Sequence, residues 1–153
     1  MNHGWQLHQY KVTGALQPAN LTNHQTEMLT RANNGMLELP VHEVKNLHMY
    51  EGGRDGHHRD VVLNNTGKLV VMTNTQDFVK ITKILRCGHR YYAVCQPLTR
   101  INDEHQQRFL VVAALLRNPE EQIVLDVSLL GRPVVYLSAG NTYTIISVPP
   151  SQQ

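Results

Sequence analysis

The sequence predicts a mainly β protein with a minor helical part: a small antiparallel barrel or sandwich preceded by a helix-containing arm. Three observations carry this expectation. Residues 60–148 contain successive short runs rich in Val, Ile, Thr and Tyr, at the spacing of about ten residues typical of sandwiches and barrels. Turn pairs built on Gly and Asn separate these runs. Only one window has helix punctuation at both ends. The expected organisation is an N-terminal extension over 1–59, an antiparallel β domain over 60–148 and a tail over 149–153.

The chain's 153 residues suffice for one domain that folds without disulfide or metal. Charged residues make up only 17%, and the deficit is filled by 12 Asn and 11 Gln together with 9 His. That composition excludes a coiled coil, a collagen-like chain and a highly charged disordered tail. The longest apolar run, Phe109 to Leu116, is too short to cross a bilayer as a helix. The opening Met-Asn-His-Gly-Trp-Gln has neither a basic nor an apolar leader region, so no secretory signal is expected. An intracellular location, cytoplasmic or nuclear, follows as the expectation, and the Asn20 and Asn64 glycosylation tripeptides are read as chance matches.

A short strand is expected around Gln6–Val12. Thr22-Asn23-His24-Gln25 has the form of a capping box and Asn33-Asn34-Gly35 that of a stop, which bound a helix over 23–32. Residues 36–44 read as extended, with Pro40 forcing an edge or a bend. Residues 51–60 form a Gly- and His-rich loop. Val61–Leu63 and Leu69–Met72 then read as a hairpin about the 64–67 turn.

The next hairpin runs from Phe78 to Gln96. With a three-residue turn at Cys87-Gly88-His89, Arg86 opposes Arg90 and Leu85 opposes Tyr91. Val79, Ile81, Leu85, Tyr91, Ala93 and Cys95 then share a core face interrupted only by Lys83. Arg86, Arg90 and Tyr92 share the outer face. A two-residue turn mixes apolar and charged residues on both faces, so the three-residue turn is preferred. Cys87 lies at the turn and Cys95 well up the return strand, which predicts two free thiols in a reducing compartment.

Residues 109–116 fit a doubly buried strand or a buried helix, and periodicity does not choose between them. Residues 123–129 alternate like a strand and Gly131-Arg132-Pro133 turns the chain. Residues 134–137 and 142–148 form a last hairpin about a two-residue Gly140-Asn141 turn.

The most distinctive functional feature is the hairpin. Between Phe78 and Arg100 lie Lys80, Lys83, Arg86, Arg90 and Arg100, with no acidic residue among them. Arg86, His89, Arg90, Tyr92 and Lys80 are the candidate binding residues. Guanidinium groups beside an aromatic plane suit phosphates and unstacked bases. A charged hairpin projecting from a small barrel resembles chromatin-reader modules, which would imply a nucleic-acid or chromatin partner. No motif assigns a family. The plain alternative is a solvated hairpin face balanced by the acidic 119–126 stretch, and a net charge of +2 is modest for a nucleic-acid binder.

A weaker candidate is metal binding by Asp55, His57, His58 and Asp60, whose residue types suit zinc or manganese. Adjacent histidines on a strand point to opposite faces, and no metalloenzyme motif is present. No P-loop or nucleophile elbow occurs, and no cofactor is implied. The leading expectation is a non-enzymatic binding module. The alternatives are an assembly subunit of an oligomer, such as a viral particle, and a metal-dependent hydrolase at His57/His58.

Overall fold

The computed structural model describes the backbone of residues 8–52, 58–101, 110–115 and 121–146, and the side chains of 9–50, 61–101 and 121–146. In chain order the strands are β1 (His8–Thr13), β2 (Gln17–Pro18), β3 (Val41–Val44), β4 (Asn46–Gly52), β5 (His58–Asn64), β6 (Val70–Thr73) and β7 (Phe78–Cys87). They continue with β8 (Arg90–Arg100), β9 (Leu110–Leu115), β10 (Ile123–Asp126), β11 (Leu130–Pro133), β12 (Val135–Ala139) and β13 (Thr142–Ile146). Among the described residues one α-helix, α1 (Asn23–Ala32), lies between β2 and β3, and a 3-10 turn covers Val127–Leu129. The protein is mainly β, as its alternation and turn chemistry predict.

Helix α1 begins where the capping box does. The Thr22 side chain accepts from the Gln25 amide at 3.1 Å, and Gln25 Oε1 accepts from the Thr22 amide at 3.1 Å. Asn34 and Gly35 take the left-handed conformation that ends it.

Two antiparallel sheets pack face to face. The smaller has the order β1-β4-β5; the larger runs β11-β6-β7-β8-β9-β13-β12, with β3 beside β7 and β10 beside β8. Leu47, Met49, Val61 and Leu63 of the small sheet bury against Val71, Val79, Ile81, Ile84, Ala93 and Cys95 of the large one. On the opposite face of β7–β8, Leu29 of α1 packs on Leu85, Cys87, Tyr92 and Val94. A third cluster, of Val70, Phe78, Leu98, Tyr143 and Ile145, fills the curl of the large sheet. That sheet is rolled so far that its two end strands are joined through Val134 alone, yet they do not pair, and no closed barrel forms. The architecture is a curled sandwich.

Several expectations are corrected, and the form of 109–116, open between strand and helix, is decided. Val61–Leu63 does not form a hairpin with Leu69–Met72: β5 pairs with β4, β6 pairs with β7 and β11, and residues 64–67 cross between the sheets. Segment 110–115 is a strand, held by β13 and β8. Gly131-Arg132-Pro133 is not a turn but lies within β11 on the edge of β6. The amino-terminal third packs against the rest through β4, β3 and α1.

The largest correction concerns the β7–β8 register. Cys87 pairs with Arg90 and Arg86 with Tyr91, so the turn is the two-residue Gly88-His89. Gly88 has φ 64 and His89 is not among the positive-φ residues, which is the dihedral pattern of a II′ turn. Further along, Ile81 pairs with Cys95 while Lys83 pairs with Val94, leaving Thr82 as an extra residue in a β-bulge. The Thr82 hydroxyl donates to the Val94 carbonyl at 3.0 Å, compensating for the ladder bond lost there. The bulge lies between the stretches where β7 pairs with β6 and with β3. It also reverses the alternation, so Ile81 and Ile84 face the small sheet while Leu85 and Cys87 face α1.

Candidate functional site

The two-residue turn redistributes the residues that sequence alone puts together. Tyr92 does not stand on an outer face. It is fully buried under α1, and its hydroxyl donates to Asn33 Oδ1 at 2.7 Å. Burial pushes its phenol above the ordinary value, while the neighbouring Arg90 guanidinium pulls it partly back. Arg86 and Arg90 do not share a face either. Arg86 is opposite Tyr91, and Arg90 is opposite Cys87, one step out of phase.

The other basic residues of the hairpin are individually engaged. Lys80 Nζ donates to the Tyr143 hydroxyl at 3.2 Å and lies over that ring. Lys83 Nζ donates to the Asn20 carbonyl at 2.8 Å, beside the start of α1. Arg86 is half-buried and its Nε donates to the Gly88 carbonyl at 3.3 Å. Arg100 stacks on Phe78 and donates to the Gln76 carbonyl at 2.7 Å. The five cations therefore form no continuous track. His89 and Arg90 remain exposed at the tip.

A second segment comes to the same place. The loop after α1 is held against the hairpin by Asn33, whose Oδ1 accepts from the Tyr92 hydroxyl at 2.7 Å and whose Nδ2 donates to Cys87 Sγ at 3.7 Å. The Cys87 thiol donates to the Glu38 carbonyl at 3.6 Å. The Glu38 carboxylate lies so close to Gly88 that a Cβ there would collide with it. Met36 and Leu39 flank this contact with their side chains in solvent, Leu39 76% exposed. The tip surface therefore combines Arg90 and His89, a carboxylate and an exposed aliphatic anchor. The sequence signal for the anchor was local: an apolar residue before Pro40, in a segment whose next residues enter β3.

Cys87 and Cys95 are free, as expected, and lie on opposite faces of the large sheet. Of the metal candidates, Asp55 and His57 lie outside the described residues; His58 and Asp60 lie in β5, paired with Gly52 and Tyr50. Among the described residues no group of three or more His, Cys, Asp or Glu could hold a metal ion. None of the described helices is long and apolar enough to cross a membrane.

Comparison with protein-family models, with curated proteins and with solved structures finds no match to this chain.

Proposed function

We propose that the protein is a binding module whose recognition surface is the β7–β8 tip together with the loop after α1, and that it recognises a protein segment. The observation that carries this reading is Leu39, an aliphatic side chain 76% exposed next to Glu38, whose carboxylate lies against Gly88 of the tip that also exposes His89 and Arg90. Arginine is enriched at the hot spots of protein interfaces, and an exposed aliphatic side chain adds apolar area for a partner to bury. The favoured ligand is an extended segment with an aliphatic residue beside a carboxylate.

A nucleic-acid partner, the leading expectation from sequence, has less support. Phosphate tracking needs cations in a row and a free aromatic face. Here Tyr92 is buried, Lys80, Lys83 and Arg100 have other partners, and Glu38 adds negative charge at the tip.

The test is selection from a displayed peptide library on wild-type protein, with counter-selection on Leu39→Asp. Enriched peptides should pair aliphatic with acidic residues and lose at least about tenfold in affinity on Arg90→Glu. In parallel, fluorescence anisotropy with a short single strand and a duplex should show no binding that depends on Arg90. Oligonucleotide binding whose salt slope falls by about 1 unit on Arg90→Ala would instead return the basic-hairpin reading.

A further inference from the structure

We infer that the cavity at the end of β7–β8 away from the tip binds a small organic amine, with its apolar body inside and its ammonium group at the Asp77 carboxylate. The inference is independent of the tip surface. The cavity measures about 470 Å³, within the range of small-molecule sites. It lies where two hydrophobic clusters meet: Val79, Ile123 and Leu125 belong to one, Phe78 and Leu98 to the other.

The sequence opens the sheet at this point. Strand β10 pairs with Tyr92–Cys95 of β8 and β9 with Leu98–Arg100, so the outer edge of β8 passes from one strand to the other at Gln96-Pro97. Pro97 has no amide proton to offer a ladder. Pro97 and Ile123, the first residue of β10, both line the cavity.

Two tied segments build the mouth, the β6–β7 turn and the 3-10 turn. The Asn74 amide donates to the Leu129 carbonyl at 2.9 Å, and the Leu129 side chain is 37% exposed there. Within the β6–β7 turn the Thr73 amide donates to the Asp77 carbonyl at 2.7 Å and the Gln76 amide to the Thr73 carbonyl at 2.9 Å. Gln76 has φ 65, a left-handed conformation uncommon outside glycine. Residues held in this way cluster at ligand clamps. The turn fixes Asp77 before any ligand arrives, which lowers the ordering cost of binding.

The hydrogen bonds of this turn select the head group. The Thr75 hydroxyl donates to Asp77 Oδ2 at 2.8 Å, so the Thr73 hydroxyl, 3.0 Å away, donates to Thr75. The Asp77 amide donates to the Thr73 hydroxyl at 3.2 Å. The hydroxyl protons are thus spent inside the turn, and the group left for a ligand is a carboxylate, which only accepts. Asp77 is the one charged residue among the described residues that line the cavity. Arg100 reaches the same turn, but it donates to the Gln76 carbonyl and stacks on Phe78. A cationic donor complements this mouth, and an anion is repelled by it. Asp77 is exposed, so an ammonium there keeps part of its hydration while the apolar body leaves water.

Titration followed by backbone-amide NMR spectra tests this, with phenethylamine and tryptamine as the amines and phenylethanol and phenylpropionate as neutral and anionic counterparts. Both amines should saturate with dissociation constants of about 1 mM or below, and should shift the amide signals of Thr73 to Asp77 and of Ile123 to Leu129. Phenylethanol should bind at least about fivefold more weakly than phenethylamine, and phenylpropionate more weakly still. Asp77→Asn, which keeps an oxygen acceptor for Thr75, should weaken phenethylamine at least about fivefold and leave phenylethanol nearly unchanged. Leu129→Arg places a cation at the mouth and should also weaken both amines, at an unchanged melting temperature. No saturation by either amine at millimolar concentration would overturn the inference. So would amine binding that Asp77→Asn leaves intact, or shifts confined to other parts of the chain. Equal affinity for phenylethanol and phenethylamine would overturn it too, and would show a cavity that selects by apolarity alone.

Discussion

Tyr92 shows how far one side chain's position can depend on a turn two residues away. With the Gly88-His89 turn it points under α1, where its hydroxyl and Asn33 form a buried hydrogen bond at 2.7 Å. Tyr92→Phe should cost about 1–3 kcal/mol, because a buried acceptor on Asn33 loses its donor. Urea unfolding checks this, and a neutral result would mean that solvent reaches Asn33. The Cys95 thiol and the Tyr10 phenol invite a second measurement. Burial pushes Cys95 up to about 12 from an ordinary 9.0, and burial followed by Asp126 pushes Tyr10 up to about 12 from 10.0. Both groups are neutral when protonated. As pH rises the unfolded chain therefore loses these protons first, and folding stability falls. Stability contributed by these groups should be intact below 9.0 and decline between there and about 12, the Cys95 part first. Guanidinium midpoints across this alkaline range should show the decline, and Cys95→Ala should delay its onset towards the tyrosine range.

At the scale of elements, two turns of the same form had different outcomes. Gly140-Asn141 is a two-residue turn in sequence and structure alike, with Gly140 at φ 62. Gly88-His89 is another, but sequence reasoning set it aside because Lys83 and Arg86 then spoil both faces. The structure accommodates them by other means. Lys83 extends to the Asn20 carbonyl and Arg86 folds back on its own turn, each keeping its charge at the margin of apolar surface. The Thr82 bulge then changes which residues face which layer, and strict alternation cannot anticipate a bulge. Deleting Thr82 should leave a regular ladder, Ile81 opposite Cys95 and Lys83 opposite Val94, with Ile84, Leu85 and Cys87 on their present faces. Retained near-UV dichroism and a cooperative melt are the expected outcome, and their loss would show that the fold needs the bend the bulge supplies. Helix α1 was legible for the opposite reason. Its capping box and its Asn-Asn-Gly stop are local chemistry, complete within the helix and its flanks.

For the whole molecule, β7 and β8 are the shared wall between two cores, with the small sheet on one side and α1 on the other. Leu47→Ala in the small sheet and Leu85→Ala under the helix should each cost about 2–5 kcal/mol. If the layers unfold together, far-UV and near-UV transitions in urea should coincide for both variants. A separate early transition for Leu47→Ala would show that the small sheet unfolds alone. The sequence by itself determined the strand-rich class, the helix with its caps, the Gly140-Asn141 turn and the separation of the cysteines, because each depends on short-range sterics and hydrogen bonding. Only the tertiary structure decided that β5 leaves β6 for β4, that both faces of the central hairpin are buried, and that Tyr92 turns inward. It also decided that the hairpin's cations are dispersed among separate partners while Leu39, Val135 and Leu137 are left in solvent. These outcomes depend on which layers cover which faces, and a strand's alternation has the same period whichever side is covered.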